Sequence, residues 1–131
     1  MAVLTEQMKD LVKSGRCLVV TASKDGWPSA GPKGSVMVVD DSTLAYGEAV
    51  GKQTYSNLKE NPKVAIVVVD YEQRVGFRFV GTAELETSGE LYETYAQRYE
   101  KMNRPRPKAA VRIKVEAIYD VAAKNAGVKV S

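Results

Sequence analysis

The stretch "KVAIVVVDYEQRVGFRFVGTAELE", Lys63 to Glu86, decides what kind of fold this chain adopts. Its first part, "KVAIVVVDY", is a near-continuous apolar run rich in valine. Such a run predicts a strand covered on both faces. Its second part, "VGFRFVGTAELE", alternates instead. Phe77, Phe79, Ala83 and Leu85 share one side; Arg78, Thr82, Glu84 and Glu86 share the other. That is the period of two of a strand with one apolar face.

The same signals extend in both directions. Upstream, "CLVVTAS" predicts a strand, and "KDGWPS" a turn with Asp25-Gly26 as its hairpin signal. A second strand is expected from about Ala30 to Val39, a turn at "DDS", and a third strand at "TLAYGE". "KQTYSNLKEN" predicts a short helix stopped by Pro62. Near the start, Thr5 can cap a helix that shares Met8, Leu11 and Val12 on one face and ends at Gly15.

Downstream, Thr87-Ser88-Gly89-Glu90 has the form of a capping box. Leu91, Tyr92, Tyr95, Tyr99 and Met102 follow at helical spacing, as a core or dimer-packing stripe. After the loop "NRPRPK", a last strand places Val111, Ile113, Val115, Ala117, Tyr119 and Val121 in one phase. The order is helix, three strands, helix, two strands, helix, strand. It predicts a mainly β chain, one domain over residues 1–131, built as a six-stranded antiparallel barrel with peripheral helices.

Composition narrows the chemistry. The 131 residues carry a net charge of +3, a mild bias that is no nucleic-acid footprint. No apolar run approaches the roughly 20 residues of a membrane span, and "MAVLTEQMKD" lacks a signal-peptide layout. The expectation is a cytoplasmic protein. One cysteine, Cys17, excludes an internal disulfide and opens an apolar strand, so a buried thiol is expected. There is no histidine. That removes histidine triads, imidazole metal sites and histidine haem ligands. No metal site and no catalytic side chain is predicted.

"GEAVGKQ", Gly47 to Gln53, has the look of a nucleotide-phosphate loop but not its spacing. A hydrolase loop needs four residues between its glycines and a hydroxyl after its lysine. Here three residues separate Gly47 from Gly51, and Gln53 follows Lys52. The local physics still suits an anion: Lys52 is cationic, and Gln53 and Thr54 stand at a helix start, where free N–H groups and the dipole favour negative charge. The alternative is a solvated Lys52, a capping Thr54 and a relaxed turn at Gly51. Just before the loop, "SAGPKGSV" offers small residues that let a flat ring approach the backbone. Pro32 there suggests a sheet edge or an interruption, and Gly31 and Gly34 suit equally a barrel bend or bulge.

These pieces together, D-G-x-P, the small-residue strand, D-D-x-T-L-x-Y and K-x-T-x-x-N-L-x-x-N-P-x-V, run in that order from Asp25 to Val64. In that order they resemble the FMN-binding split-barrel, or pyridoxamine-phosphate-oxidase-like, family, over roughly Cys17 to Leu85. The resemblance implies a homodimer of split barrels with FMN at the interface. It places Lys52, Gln53 and Thr54 on the phosphate, and Gly31, Pro32 and Lys33 along the isoalloxazine, mostly through backbone atoms. Tyr46, Gly47, Glu48 and Ala49 would line the cofactor from the third strand, while Asn57 and Leu58 fix the helix. It implies electron or hydride transfer through the flavin, with NAD(P)H or a redox protein as partner. A non-catalytic flavin-binding or sensor domain and a deazaflavin-dependent reductase are the alternatives. Pyridoxamine phosphate oxidases proper carry an arginine and a histidine near the C-terminus for substrate; this chain offers only Arg112 and Lys114 there. Glu48 poses a question, since a carboxylate facing a flavin disfavours its anionic reduced form. "NRPRPK" is expected as a solvated loop, with a phosphate contact as the alternative. Trp27 suits a dimer or flavin contact, or packing on its own barrel.

Overall fold

The computed structural model describes residues 2–131. In chain order the elements are α1 (Glu6–Lys13), β1 (Cys17–Ala22), β2 (Pro28–Lys33), β3 (Met37–Asp40), β4 (Thr43–Glu48), α2 (Gln53–Glu60), β5 (Lys63–Asp70), β6 (Val75–Glu86), α3 (Glu90–Lys101), β7 (Ala109–Asp120) and β8 (Val128–Lys129). All ladders are antiparallel, and the strand path runs β2-β1-β5-β6-β7-β4-β3, with β8 beside β7.

The predicted class holds; the strand count rises from six to eight. The expected strand from Ala30 to Val39 is two strands, β2 and β3, at opposite ends of the path. Only Gly34, Ser35 and Val36 join them. Such a link spans at most roughly 15 Å. The sheet therefore curls until its two edges are neighbours, which makes it a split barrel. Pro32 sits on edge strand β2 immediately before the break, where its missing N–H costs no ladder bond.

Strand β6 keeps the phase read from its alternation: Phe77, Phe79 and Ala83 are buried. Strand β7 does not. Val111, Ile113 and Val115 point inward, but the next buried side chain is Ile118. The register skips Glu116, since Gly81 pairs with Val115 and Val80 with Ala117. This bulge moves the inward phase from odd to even positions. Tyr119 is turned to the other face, where Arg78 stacks on it at 4.8 Å. Gly81 is required opposite: a Cβ there would come within 2.0 Å of the Lys114 carbonyl oxygen.

The barrel interior packs Val19, Leu44, Ile66, Val68, Phe79, Val111 and Ile113. Cys17 is buried among them, as expected. Helix α1 closes one end with Met8, Leu11 and Val12. Its predicted cap is present: the Thr5 hydroxyl accepts from the Met8 N–H at 3.3 Å. Helix α3 lies outside, laying Leu91, Tyr92, Tyr95, Ala96 and Tyr99 on Ala45 and Ala110. Its predicted capping box does not form. Gly89, at φ +100, is the N-cap and has no side chain to offer; Thr87 and Ser88 fall too early to serve. The outward side chains of β5, Ala65, Val67 and Val69, are half-buried, and among the described residues α1 packs its buried side chains into the interior cluster instead. The expected second cover is therefore absent among the described residues. Trp27, at the β1–β2 turn, is 76% exposed and does not pack on its own barrel. No helix among the described residues is long and apolar enough to cross a membrane.

Candidate functional site

Alternation along β4 divides the predicted site residues. Leu44, Tyr46 and Glu48 point into the barrel, and Ala45 and Gly47 face α3. Tyr46 is fully buried, so only its backbone is available to a ligand. Gly47 is glycine because α3 presses on it: a Cβ would stand 2.7 Å from the Tyr99 hydroxyl and 3.0 Å from the Tyr95 ring. Tyr99 donates to the Gly47 carbonyl at 2.9 Å, and Tyr95 to the Ser35 carbonyl at 2.8 Å.

Glu48 lies at the end of β4 and is 1% exposed. Its Oε2 accepts from the Lys33 ammonium at 3.1 Å and from the Gly51 N–H at 3.3 Å. The same residue's carbonyl accepts from the Lys108 N–H at 2.7 Å. The carboxylate thus points inward and joins β2 to the Ala49–Lys52 loop. Two buried polar atoms at this end of the barrel, Glu48 Oε1 and the Tyr46 hydroxyl, have no hydrogen-bond partner among the described residues. Burial first, and the Glu48 charge second, push the Tyr46 phenol well above its ordinary pKa, so it stays protonated.

Beyond Glu48 the loop turns through Gly51 at φ +73, a conformation glycine adopts without strain. Lys52 is the N-cap of α2 and makes no side-chain cap. Thr54 is therefore inside the first turn and is not the cap. The first intrahelical bond is Ser56 N–H to the Lys52 carbonyl, so the N–H groups of the opening turn have no intrahelical acceptor. The Gln53 side chain is already engaged, donating to Asn57 Oδ1 at 2.7 Å, while Asn57 donates to the Thr21 hydroxyl at 3.0 Å. That chain of amides pins α2 to β1, the role expected of Asn57. Gln53 can serve an anion only through its backbone.

The small-residue strand comes to this helix start. A Cβ on Gly31 would have the Thr54 hydroxyl oxygen as its nearest neighbour, at 4.0 Å. On the other side of the loop, Pro32, Lys33, Gly47 and Ala49 line a groove of about 390 Å³ whose far wall is Arg98, Tyr99, Met102 and Arg104 of α3 and the following loop. The fold thus brings Gly31, Lys33, Glu48, Gly51 and Thr54 together and sets Pro32, Gly47 and Ala49 on the adjoining groove. It withdraws the Tyr46 side chain and the Gln53 amide. Arg98 was not singled out from sequence, and Arg104 only as one charge of "NRPRPK". The signal for Arg104 was that basic run, whose position beside β2 no local pattern reveals; Arg98, inside α3, carried no signal of its own. Lys108, from the same run, packs its aliphatic part near Gly51, 3.2 Å from where a Cβ would be.

A larger open groove, lined by Asp40, Asp41, Thr82, Glu84, Arg112 and Lys114, lies on the sheet's outside. Arg112 is committed there to Glu86, at 2.6 and 3.4 Å. It gathers both signs of charge and none of the predicted site residues.

Comparison with known proteins finds the same fold in relatives. The HupZ protein of Group A Streptococcus shares 37% identity, over 98% of this chain and 99% of that one, with a TM-score of 0.87. An uncharacterized protein of Methanocaldococcus jannaschii is 32% identical over 122 residues, 90% of this chain and 80% of that protein. An FMN-binding protein of Syntrophomonas wolfei, at 19% identity over 86% of this chain and 82% of that one, shares the fold with a TM-score of 0.76. The sequence pattern of pyridoxamine 5'-phosphate oxidase matches residues 4–122, which span both strand edges and the whole loop, and on that match the chain belongs to the pyridoxamine 5'-phosphate oxidase family.

Proposed function

We propose that this chain is an FMN-binding redox protein that works as a homodimer. The observation that carries it is the open space between Gly31 and the first turn of α2, where only a hydroxyl at 4.0 Å approaches the missing Cβ. A flat ring can lie along backbone there while its phosphate reaches a helix N-terminus. Lys52, the Thr54 hydroxyl and the backbone N–H groups of Gln53 and Thr54 would hold the phosphate. Gly31, Pro32 and the 46–49 backbone would border the ring. FMN, when bound, supplies the electron or hydride transfer. The chain supplies the pocket and the field, and no side chain is assigned as acid, base or nucleophile. The family and the FMN-binding relative of the same fold support the cofactor. The absence of histidine argues against pyridoxamine phosphate as the substrate.

The uncovered sheet face supports the dimer. Leu18, 42% exposed, pairs with Val67 and Pro32 in register, and Val20 with Ala65 and Ala30. These outward positions form an apolar surface continuous with β2 of the site. A second copy covering it would complete the pocket from across the interface. Leu18→Glu is expected to yield a monomer in sedimentation and to lose FMN with it.

The deciding experiment is an absorbance spectrum of the purified protein with mass analysis of what heat releases. The two-banded flavin spectrum and released FMN are expected, as is NAD(P)H turnover faster than that of free FMN. A colourless protein that does not take up added FMN overturns the proposal; flavin without turnover leaves a binding module in its place.

A further inference from the structure

The Glu48–Lys33 contact is an unusual thing to build beside a site meant for an anion. A carboxylate with 1% exposure is costly unless paired and hydrogen-bonded. It also repels a phosphate. Lys33 removes that repulsion, and the side chain that does so is itself mostly covered, at 19% exposure. Held at 3.1 Å from Glu48 and 5.7 Å above the Tyr46 ring, the ammonium is committed inward. The same Glu48 oxygen takes the Gly51 N–H, at the loop residue with positive φ that sets the direction into α2.

We infer that Glu48 and Lys33 act as one positioning pair, which shapes the loop that presents Lys52, Gln53 and Thr54, and that neither side chain touches the ligand. Lys33 then borders the ring only through its backbone. The charges left for an anion are then Lys52, Lys108, Arg98 and Arg104. The inference rests on the FMN proposal only for its ligand-binding test.

The test compares Lys33→Met, Glu48→Gln and the two together. Lys33→Met leaves a bare buried carboxylate; the double variant is neutral and keeps an oxygen to accept from Gly51. FMN binding is expected to weaken about 30-fold in Lys33→Met and to return to within about threefold of the original in the double variant. Riboflavin, which lacks the phosphate, is expected to change less than about threefold throughout. Amide hydrogen exchange across residues 49–54 of the unliganded protein is expected to speed up about tenfold in Lys33→Met and to recover in the double variant. If the double variant stays as weak as Lys33→Met, Lys33 acts on the ligand itself and the inference fails. Unchanged exchange at the loop in Lys33→Met defeats it equally. Should Lys33→Met not fold, recovery of folding in the double variant supports the pair, and a double variant that also fails to fold overturns it. If the unaltered protein binds neither FMN nor riboflavin, the proposed function falls, and the exchange result still decides the pairing.

Discussion

Two glycines, one on β4 and one on edge strand β2, are glycine for opposite reasons. Gly47 on β4 has no room: tyrosines of α3 fill the place of a Cβ, and their hydroxyls donate to backbone carbonyls at 2.8 and 2.9 Å. Tyr92 does the same to Pro107, at 2.8 Å. Gly31 on β2 has room: among the described residues only the Thr54 hydroxyl, at 4.0 Å, comes near the place of its Cβ. Around Gly47 every tyrosine of the stripe finds a partner. Inside the barrel, the Glu48 Oε1 and the Tyr46 hydroxyl are left without one among the described residues. The first region is finished as protein. The second keeps open space beside Gly31 and an uncapped start of α2, and there a ligand has room that α3 denies it at Gly47.

The comparison can be broken by filling both places. Gly47→Ala is expected to cost about 3 kcal/mol of stability in chemical denaturation, through overpacking against Tyr95 and Tyr99. Gly31→Ala should change stability by less than about 0.5 kcal/mol while reducing FMN affinity about tenfold. Equal losses of stability would mean that the two glycines do the same work.

A second prediction concerns the finished interior. Burial pushes the Cys17 thiol up to about 11, from an ordinary 9.0. The folded state therefore holds the proton that the unfolded state releases first. This contribution is fully present below pH 9 and is lost as pH rises through about 11. Compared with Cys17→Ala, the original protein should lose an extra ~2 kcal/mol across that window. Parallel curves would mean that water reaches the thiol.

Smaller effects sharpen the contrast. Tyr99→Phe removes the bond to the Gly47 carbonyl and should cost about 1 kcal/mol, with little change in ligand binding. Thr54→Val should show the reverse. Its stability should hold within about 0.5 kcal/mol, and calorimetry should find FMN binding weakened several-fold with riboflavin unaffected.

Local grammar was legible. Thr5 announced the cap of α1, and the alternation from Val75 to Glu86 announced a one-sided strand, because both depend on neighbours in sequence. Gly51, Lys52 and Thr54 marked an anion-favouring helix start for the same reason. What failed depended on partners far along the chain. The run from Ala30 to Val39 reads as one strand, since a break at Gly34-Ser35 is visible only once its halves pair with β1 and β4 at opposite ends of the sheet. The phase of β7 was misread after Val115 because the bulge at Glu116 is set by Gly81 across the ladder. The capping box from Thr87 matched in composition, but the backbone of Gly89 started the helix later.

The sequence by itself determined the class of fold, the residues of the loop after β4 and the chemistry excluded by having no histidine. These are matters of periodicity, turn residues and composition, each carried by a short stretch. Only the tertiary structure decided that Glu48 faces Lys33 and Gly51, that the Tyr46 side chain is core, and that Arg98 and Arg104 border the groove. Those facts require the sheet to curl until β2 and β3 meet and α3 to press on β4. Both are long-range events, driven by burial of apolar surface that no local pattern encodes.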